Sequence, residues 1–187
     1  MRSGPPSSNR RRRLPEDGTL EVFAADEQSA EPVDVHRWSR LAEQVLRAQG
    51  VRGEAELSLL FITEEAISDL NRRFMDAPGP TDVLAFPIDD DLIELGRFPD
   101  ATTTGPDRPP PDPSDAPVLI GDVVICPAVA ARNAPEHAGS YDDEIALLIV
   151  HGILHVLGMD HAESDEAAVM QSREQELLAQ FHHPSPQ

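Results

Sequence analysis

The stretch SYDDEIALLIVHGILHVLG, residues 140–158, decides the fold because it carries every signal of one long helix. Ser140 is a typical N-cap residue, and Asp143 follows at the spacing of a capping box. Apolar residues then recur at helical spacing, and Gly158 predicts the end of the helix. The longest apolar run, residues 145–150, is far too short to cross a bilayer.

The segments on either side of this helix predict strands and helices in mixed order. Working outward, the pattern favours strands over residues 118–126, 83–88, 56–62 and 19–24, and helices over 128–136, 64–74, 35–49 and 164–181. Pro127 is placed to begin the helix that follows the 118–126 strand. Because strands and helices do not alternate strictly as βαβ units, we expect a single α+β domain.

Three segments do not have the composition of packed structure. Residues 1–16 are rich in Gly, Pro, Ser and Arg and predict a disordered basic tail. Residues 89–117 contain seven prolines and several acids, which predicts a mobile acidic loop inserted in the domain. We expect the folded domain to span residues 17–182 and the last residues, 183–187, to be frayed.

The charge of the chain restricts its partners. The net charge is −19, from 34 acids and 15 arginines with no lysine, and such a surface repels nucleic acid at long range. A polyanionic substrate therefore needs a local positive patch, a metal ion or a large partner assembly. The Arg10–Arg13 run is interpreted as a solvated tail, with contact to RNA as the alternative.

Cysteine usage and the N-terminus indicate the compartment. The single cysteine, Cys126, excludes a disulfide framework and is interpreted as a packed residue. The first residues lack the apolar core of a signal peptide. We expect a cytoplasmic protein that has no membrane partner.

Three histidines follow the pattern H-x-x-x-H-x-x-G-x-x-H. His151 and His155 are four apart, so a helix places both imidazoles on one face. Gly158 allows the chain to turn back, so that His161 reaches the same ion. Three imidazoles with an open fourth position favour one zinc ion per chain, although ligand type alone also allows nickel, manganese or iron. Asp160 is the nearby carboxylate that would close the site.

The remaining histidines lack this spacing, and one glycine restricts the chemistry. We expect the others, which have no such ligand partners, to be surface residues: His36, His137, His182 and His183. The ligand spacing equals that of the metzincin proteases, H-E-x-x-H-x-x-G-x-x-H. Position 152, where those proteases have their catalytic glutamate, is a glycine in this chain. Gly152 therefore argues against peptidase catalysis.

The histidine segment HGILHVLGMDH resembles the H-G-x-L-H-L-x-G-x-D-H signature of the YbeY family of bacterial endoribonucleases. PTDVLAFP at residues 80–87 and GDVVI at 121–125 are similar to two further family segments, and Leu70-Asn71 and Glu144 also fall where the family has them. The resemblance covers about residues 19–181. It implies zinc ligation by His151, His155 and His161, and a small mixed β-sheet beside the metal helix.

The resemblance also implies a function. That function is metal-dependent cleavage of single-stranded RNA, with roles in 16S rRNA 3′-end processing and ribosome quality control. The implied partners are ribosomal RNA and the small ribosomal subunit, including its proteins. Met75 stands where the family commonly has an arginine that is considered catalytic or RNA-binding.

Several further residues are candidates for the site. Arg72, Arg73 and Thr81 are candidates for RNA binding, and Asp82 and Asp160 are weak candidates for a general base. Glu144 lies seven residues before His151 on the same helix face, so it either hydrogen-bonds a ligand imidazole or forms a surface pair.

Two alternative functions remain open at this stage. One is a metal-dependent hydrolase of peptides or small molecules. The other is a non-catalytic ribosome-assembly factor that contains structural zinc.

Overall fold

The computed structural model describes residues 19–88, 117–159 and 164–183, with side chains in the last range from residue 166 onward. The predicted N-terminal tail, almost all of the predicted 89–117 loop, and residues 184–187 lie outside the described residues. Asp160 and His161 lie outside them as well.

A four-stranded mixed sheet forms the centre of the described structure. Its strands are β1 (Leu20–Asp26), β2 (Ala55–Phe61), β3 (Val83–Pro87) and β4 (Val118–Ile125). They lie in the order β1-β2-β4-β3, with β1 and β4 parallel to β2 and with β3 antiparallel to β4. All four were predicted from the sequence, with bounds that differ by a residue or two.

Among the described residues, five helices accompany the sheet. They are α1 (Val35–Ala48), α2 (Glu64–Phe74), α3 (Pro127–Asn133), α4 (Tyr141–Val156) and α5 (Ser164–Phe181), and a short 3-10 turn, Ala134–Glu136, follows α3. The α+β class is confirmed. The chain nevertheless begins with one βαβ unit, since α1 connects the parallel strands β1 and β2.

The main core lies between one face of the sheet and α1, α4 and α5. Alternate residues of β2 point into it, from Ala55 to Phe61, and each is almost completely buried. Helix α4 contacts β3, β4 and three other helices, and ten of its sixteen residues are buried. A helix surrounded in this way must be apolar on most sides, which explains the run of residues 145–150.

Two glycines permit the close approach of α4 to the sheet. A Cβ atom at Gly152 would lie 2.6 Å from Cγ1 of Val123 on β4. Gly121 sits at an irregularity of β4 with φ of 151°, and a Cβ atom there would collide with the Phe86 carbonyl oxygen and with Val156. Both positions therefore require glycine to bring the histidines of α4 to the edge of the sheet.

Among the described residues, no helix is both long and apolar enough to span a membrane.

Candidate metal centre and its cleft

His151 and His155 face each other at the C-terminal end of α4. Their Nε2 atoms are 3.1 Å apart, and the two rings are inclined at 74°. Two imidazoles bound tetrahedrally to one zinc ion at about 2.0–2.1 Å would have nitrogens roughly 3.3 Å apart. The helix brings the two imidazoles together, as the i, i+4 pattern predicted; their nitrogens are within hydrogen-bond distance and are also close to the spacing of two ligands of one ion.

The other ring nitrogen of His151 is held by a carboxylate from α5. Nδ1 of His151 donates to Oε1 of Glu174 at 2.7 Å, and the Glu174 residue is only 9% exposed. A carboxylate behind an imidazole is the usual partner of a metal-binding histidine, because it orients the ring and raises its basicity. This contact is the second observation that fits a metal ion.

Sequence reasoning missed Glu174, which lies 23 residues after His151. One signal was available. Glu174 falls between Met170 and Leu177 at helical spacing, on the face of α5 that is buried. An acid on a buried helix face needs a partner, so its position pointed to a polar group on the opposing element.

The third predicted ligand, His161, is outside the described residues, as is Asp160. Within residues 19–88, 117–159 and 164–183, no three His, Cys, Asp or Glu side chains form a metal-ligand group. Gly158 has φ of 87°, the left-handed conformation expected at the end of the helix. The chain thus begins the turn that the His161 prediction requires.

Glu144 has different partners from those predicted. Its carboxylate is completely buried and accepts hydrogen bonds from Nδ1 of His137 at 3.0 Å and from the Ala138 backbone N–H at 3.2 Å. The prediction that Glu144 bonds a ligand imidazole is wrong, since seven residues of helix separate it from His151 by about 10 Å along the axis. A surface pair is also wrong for Glu144 itself, because the helix start is covered by the preceding loop.

His137 lies at the surface, as expected, and its imidazole also has a buried carboxylate as its partner. Its hydrogen bond to Glu144 is the largest cause that raises the pKa of the His137 imidazole, followed by the Coulombic attraction of the same carboxylate. Burial opposes this rise in the pKa, and weaker attractions from Asp82 and Glu174 add to it.

His182 also has a partner. Its Nε2 atom lies 2.6 Å from Oδ1 of Asp143, and the side chain of His182 is only 8% exposed. The Ser140 hydroxyl, which donates to Asp143, is the first cause that lowers the pKa of this aspartate, and the hydrogen bond from His182 also lowers it. The expectation of a surface histidine is wrong for His182, because the end of α5 folds back onto the start of α4.

Asp82 and Thr81 lie at the entry to β3. Asp82 accepts hydrogen bonds from the Thr81 hydroxyl, from the Val83 backbone N–H and from the Asn133 side chain, at 2.9 to 3.2 Å. Both carboxylate oxygens are thus engaged, and the bond from Asn133 holds α3 against this loop. A role as general base remains a prediction for Asp82, although the residue lines the same cleft as His151.

The predicted RNA-binding arginines lie on the exposed surface at the end of α2. Arg72 pairs with Asp69 at 3.0 Å, and the Arg73 guanidinium lies 5.4 Å from the centre of the Phe74 ring. Met75, the next residue after the helix, lines a pocket of about 410 Å³ together with His151 and His155. Met75 therefore shares a pocket with the two histidines, and the pocket lining includes neither Arg72 nor Arg73.

A larger cleft of about 1300 Å³ runs between α4 and α5. Asp82, His137, His151 and Glu174 line it, and Asp143 and His182 line it as well. Its floor is apolar, with residues such as Leu147 and Met170. Polar, titratable groups over an apolar floor are typical of a substrate site.

Comparison with known proteins shows a family match over most of the chain. The family model described as Endoribonuclease YbeY matches residues 23–182. The chain belongs to this family. A relative named Endoribonuclease YbeY from Thermobifida fusca is 47% identical over 160 residues, which cover 86% of this chain and 93% of the relative. Another of that name, from Frankia casuarinae, is 43% identical and covers 87% of this chain and 75% of the relative.

A solved structure also overlaps with the fold. The solution structure of a Thermotoga maritima protein is 19% identical and covers 87% of this chain and 91% of its own, with a TM-score of 0.49. Family membership rests on the sequence matches and does not depend on this overlap.

Proposed function

We propose that this protein is a zinc-dependent endoribonuclease that cleaves single-stranded RNA during 16S rRNA 3′-end maturation and ribosome quality control. The observation that carries the proposal is the pairing of His151 and His155, with Nε2 atoms 3.1 Å apart and Glu174 behind His151, in a chain of the Endoribonuclease YbeY family. His161 is proposed as the third ligand, from its position in the sequence motif.

A zinc ion held there would polarise a phosphate oxygen and acidify a bound water. The protein supplies the rest. Glu174 takes the Nδ1 proton of His151 in a hydrogen bond, which leaves the Nε2 lone pair of that ring available to the ion. A cation at this place also offsets the net charge of −19, which otherwise repels RNA from the cleft.

The structure weakens the alternative of a zinc peptidase. That chemistry needs a glutamate directly after the first histidine, and a side chain at position 152 would displace Val123, because even a Cβ atom would lie 2.6 Å from its Cγ1. A structural zinc in a non-catalytic assembly factor is less favoured, because His151 borders both an open cleft of about 1300 Å³ and the smaller pocket.

Cleavage of a labelled single-stranded RNA tests the proposal. Protein loaded with zinc should cut the RNA, and His155→Ala should lose both bound zinc and cleavage. His36→Ala, which alters an exposed histidine on α1, is the matched control and should keep both. Equal cleavage by wild type and His155→Ala would refute the nuclease function, and wild type that binds no zinc would refute the metal site.

The substrate is tested with small ribosomal subunits. Particles that carry a 16S precursor with an unprocessed 3′ end should be cut faster than an unrelated RNA of equal length. Equal rates on the two substrates would contradict the proposed role in rRNA maturation and would leave a general single-strand nuclease.

A further inference from the structure

The loop before α4 presents an imidazole that is held from behind by a buried carboxylate. Nδ1 of His137 lies 3.0 and 3.2 Å from the two oxygens of Glu144, which is 0% exposed. The carboxylate accepts the Nδ1 proton, so the opposite nitrogen, Nε2, is the atom that exchanges protons with the surroundings. A histidine oriented in this way is a common general acid or base in enzymes.

The outer side of this imidazole borders the cleft that contains His151. His137 lines that cleft, its side chain is 61% exposed, and within the described part of the chain Nε2 makes no hydrogen bond. Asp82 and Glu174 also line the cleft, and the negative charges of both raise the pKa of His137 through space. His137, Glu174 and the His151 ring that Glu174 holds thus line one cleft.

The described acidic groups of the cleft are already engaged. Asp82 uses both oxygens for hydrogen bonds, Glu174 is paired with His151, and Asp143 is paired with His182. His183 also lines the cleft, and it lies beside Arg37 and Trp38 in a neighbouring pocket. His137 is the exposed imidazole of the cleft that a buried carboxylate holds in place.

Building on the proposed function, we propose that His137 is the general acid that protonates the leaving oxygen of the cleaved phosphodiester. A water oxygen forms the new bond to phosphorus, and the bond from phosphorus to the leaving ribose oxygen breaks. That oxygen keeps the electron pair and takes the proton from Nε2 of His137. The attacking water releases a proton to solvent, and a proton from solvent restores the imidazolium. Glu144 is the positioning residue, because it acts through His137.

The ionisation of His137 agrees with this role. The acids that face it come from three elements: Glu144 on α4, Asp82 before β3 and Glu174 on α5. Together they raise the pKa of the imidazole, so a larger fraction carries the proton near neutral pH. A general acid is most effective when its pKa lies near the working pH.

A leaving-group experiment tests the proposal. The protein loaded with zinc would be assayed on three RNA oligonucleotides. The first is unmodified. The second has sulfur in place of O3′ at the cleaved linkage, and the third has sulfur in place of O5′ there. A thiolate leaves without a proton, so it does not need the acid. His137→Gln should be slower by roughly 10²- to 10⁴-fold on the oxygen substrate. On the substrate whose sulfur is the leaving atom, His137→Gln should cleave nearly as fast as wild type.

The outcomes separate this inference from the proposed function. Equal losses of His137→Gln on all three substrates, or no loss at all, would overturn the role of His137 as the acid. Failure of wild type to cleave any RNA would overturn the proposed function instead. Since His137 is exposed, the variant should keep its zinc content and melting temperature, and His36→Gln serves as the control that keeps the full rate.

A second variant tests the positioning role of Glu144. In Glu144→Gln the His137 ring keeps a hydrogen-bond acceptor but loses the negative charge beside it. His137 should then give up its proton more easily, so the cleavage rate should decline at a lower pH than in wild type. An unchanged pH profile in a folded Glu144→Gln protein would overturn the positioning role. If this buried substitution prevents folding, the His137→Gln result still decides the proposal.

Discussion

Nδ1 of His151 and Oε1 of Glu174 lie 2.7 Å apart, and this hydrogen bond joins α4 to α5 beside the candidate metal centre. It determines which nitrogen of His151 carries the proton. The other ring nitrogen, Nε2, is the one that faces Nε2 of His155, at 3.1 Å. One contact between two helices therefore prepares the ring for a metal ion.

We predict that Glu174→Ala weakens zinc binding by about 10- to 100-fold. Glu174→Gln should weaken it less, because the amide oxygen still accepts the Nδ1 proton. Competition with a chromophoric chelator measures both affinities. Glu176→Ala, on an exposed part of the same helix, is the control, and zinc affinity equal to wild type in Glu174→Ala would contradict the prediction.

Gly152→Ala should destabilise the fold by about 1–3 kcal/mol, because the added methyl group overlaps the branched side chain of Val123. Urea unfolding measures the loss. In a Gly152→Ala, Val123→Ala double variant the overlap disappears, so the two effects should not add. If the losses of unfolding free energy of the two single variants add exactly in the double variant, the overlap with Val123 is not the cause of the destabilisation.

Met75→Arg should strengthen binding of single-stranded RNA and make it more sensitive to salt, since Met75 borders the pocket of His151 and His155. One extra phosphate contact steepens the slope of log K against log salt by roughly 0.7. Fluorescence anisotropy at several salt concentrations measures this slope, with Met75→Leu as the neutral control. An unchanged slope in Met75→Arg would place the RNA backbone away from residue 75.

Asp143→Asn should make folding less dependent on pH in the acid range. The Ser140 hydroxyl and His182 lower the pKa of Asp143 below its unfolded value of about 3.9. The stabilisation is therefore present above that value and is lost as the pH falls through the folded pKa. Urea titrations from pH 7 to about 3 compare the two proteins, and parallel curves would contradict the assignment.

The sequence by itself determined the secondary structure and the pair of histidines. Helix and strand positions follow from the spacing of apolar residues and from local signals such as Ser140 and Gly158. The pairing of His151 with His155 is local as well, because a helix brings residues four apart together whatever surrounds it. The resemblance of the segment HGILHVLGMDH to one family likewise needed only the sequence, and it indicated membership correctly.

The tertiary structure alone decided what stands behind each histidine. Glu174 meets His151 only because α5 packs against α4, and Glu144 meets His137 only because the loop closes over the start of α4. Sequence spacing suggested Glu144 as the partner of His151, because spacing along one helix does not show which side chains a second helix brings close. Contacts between elements depend on how the faces pack, and packing is set by the whole core rather than by local periodicity.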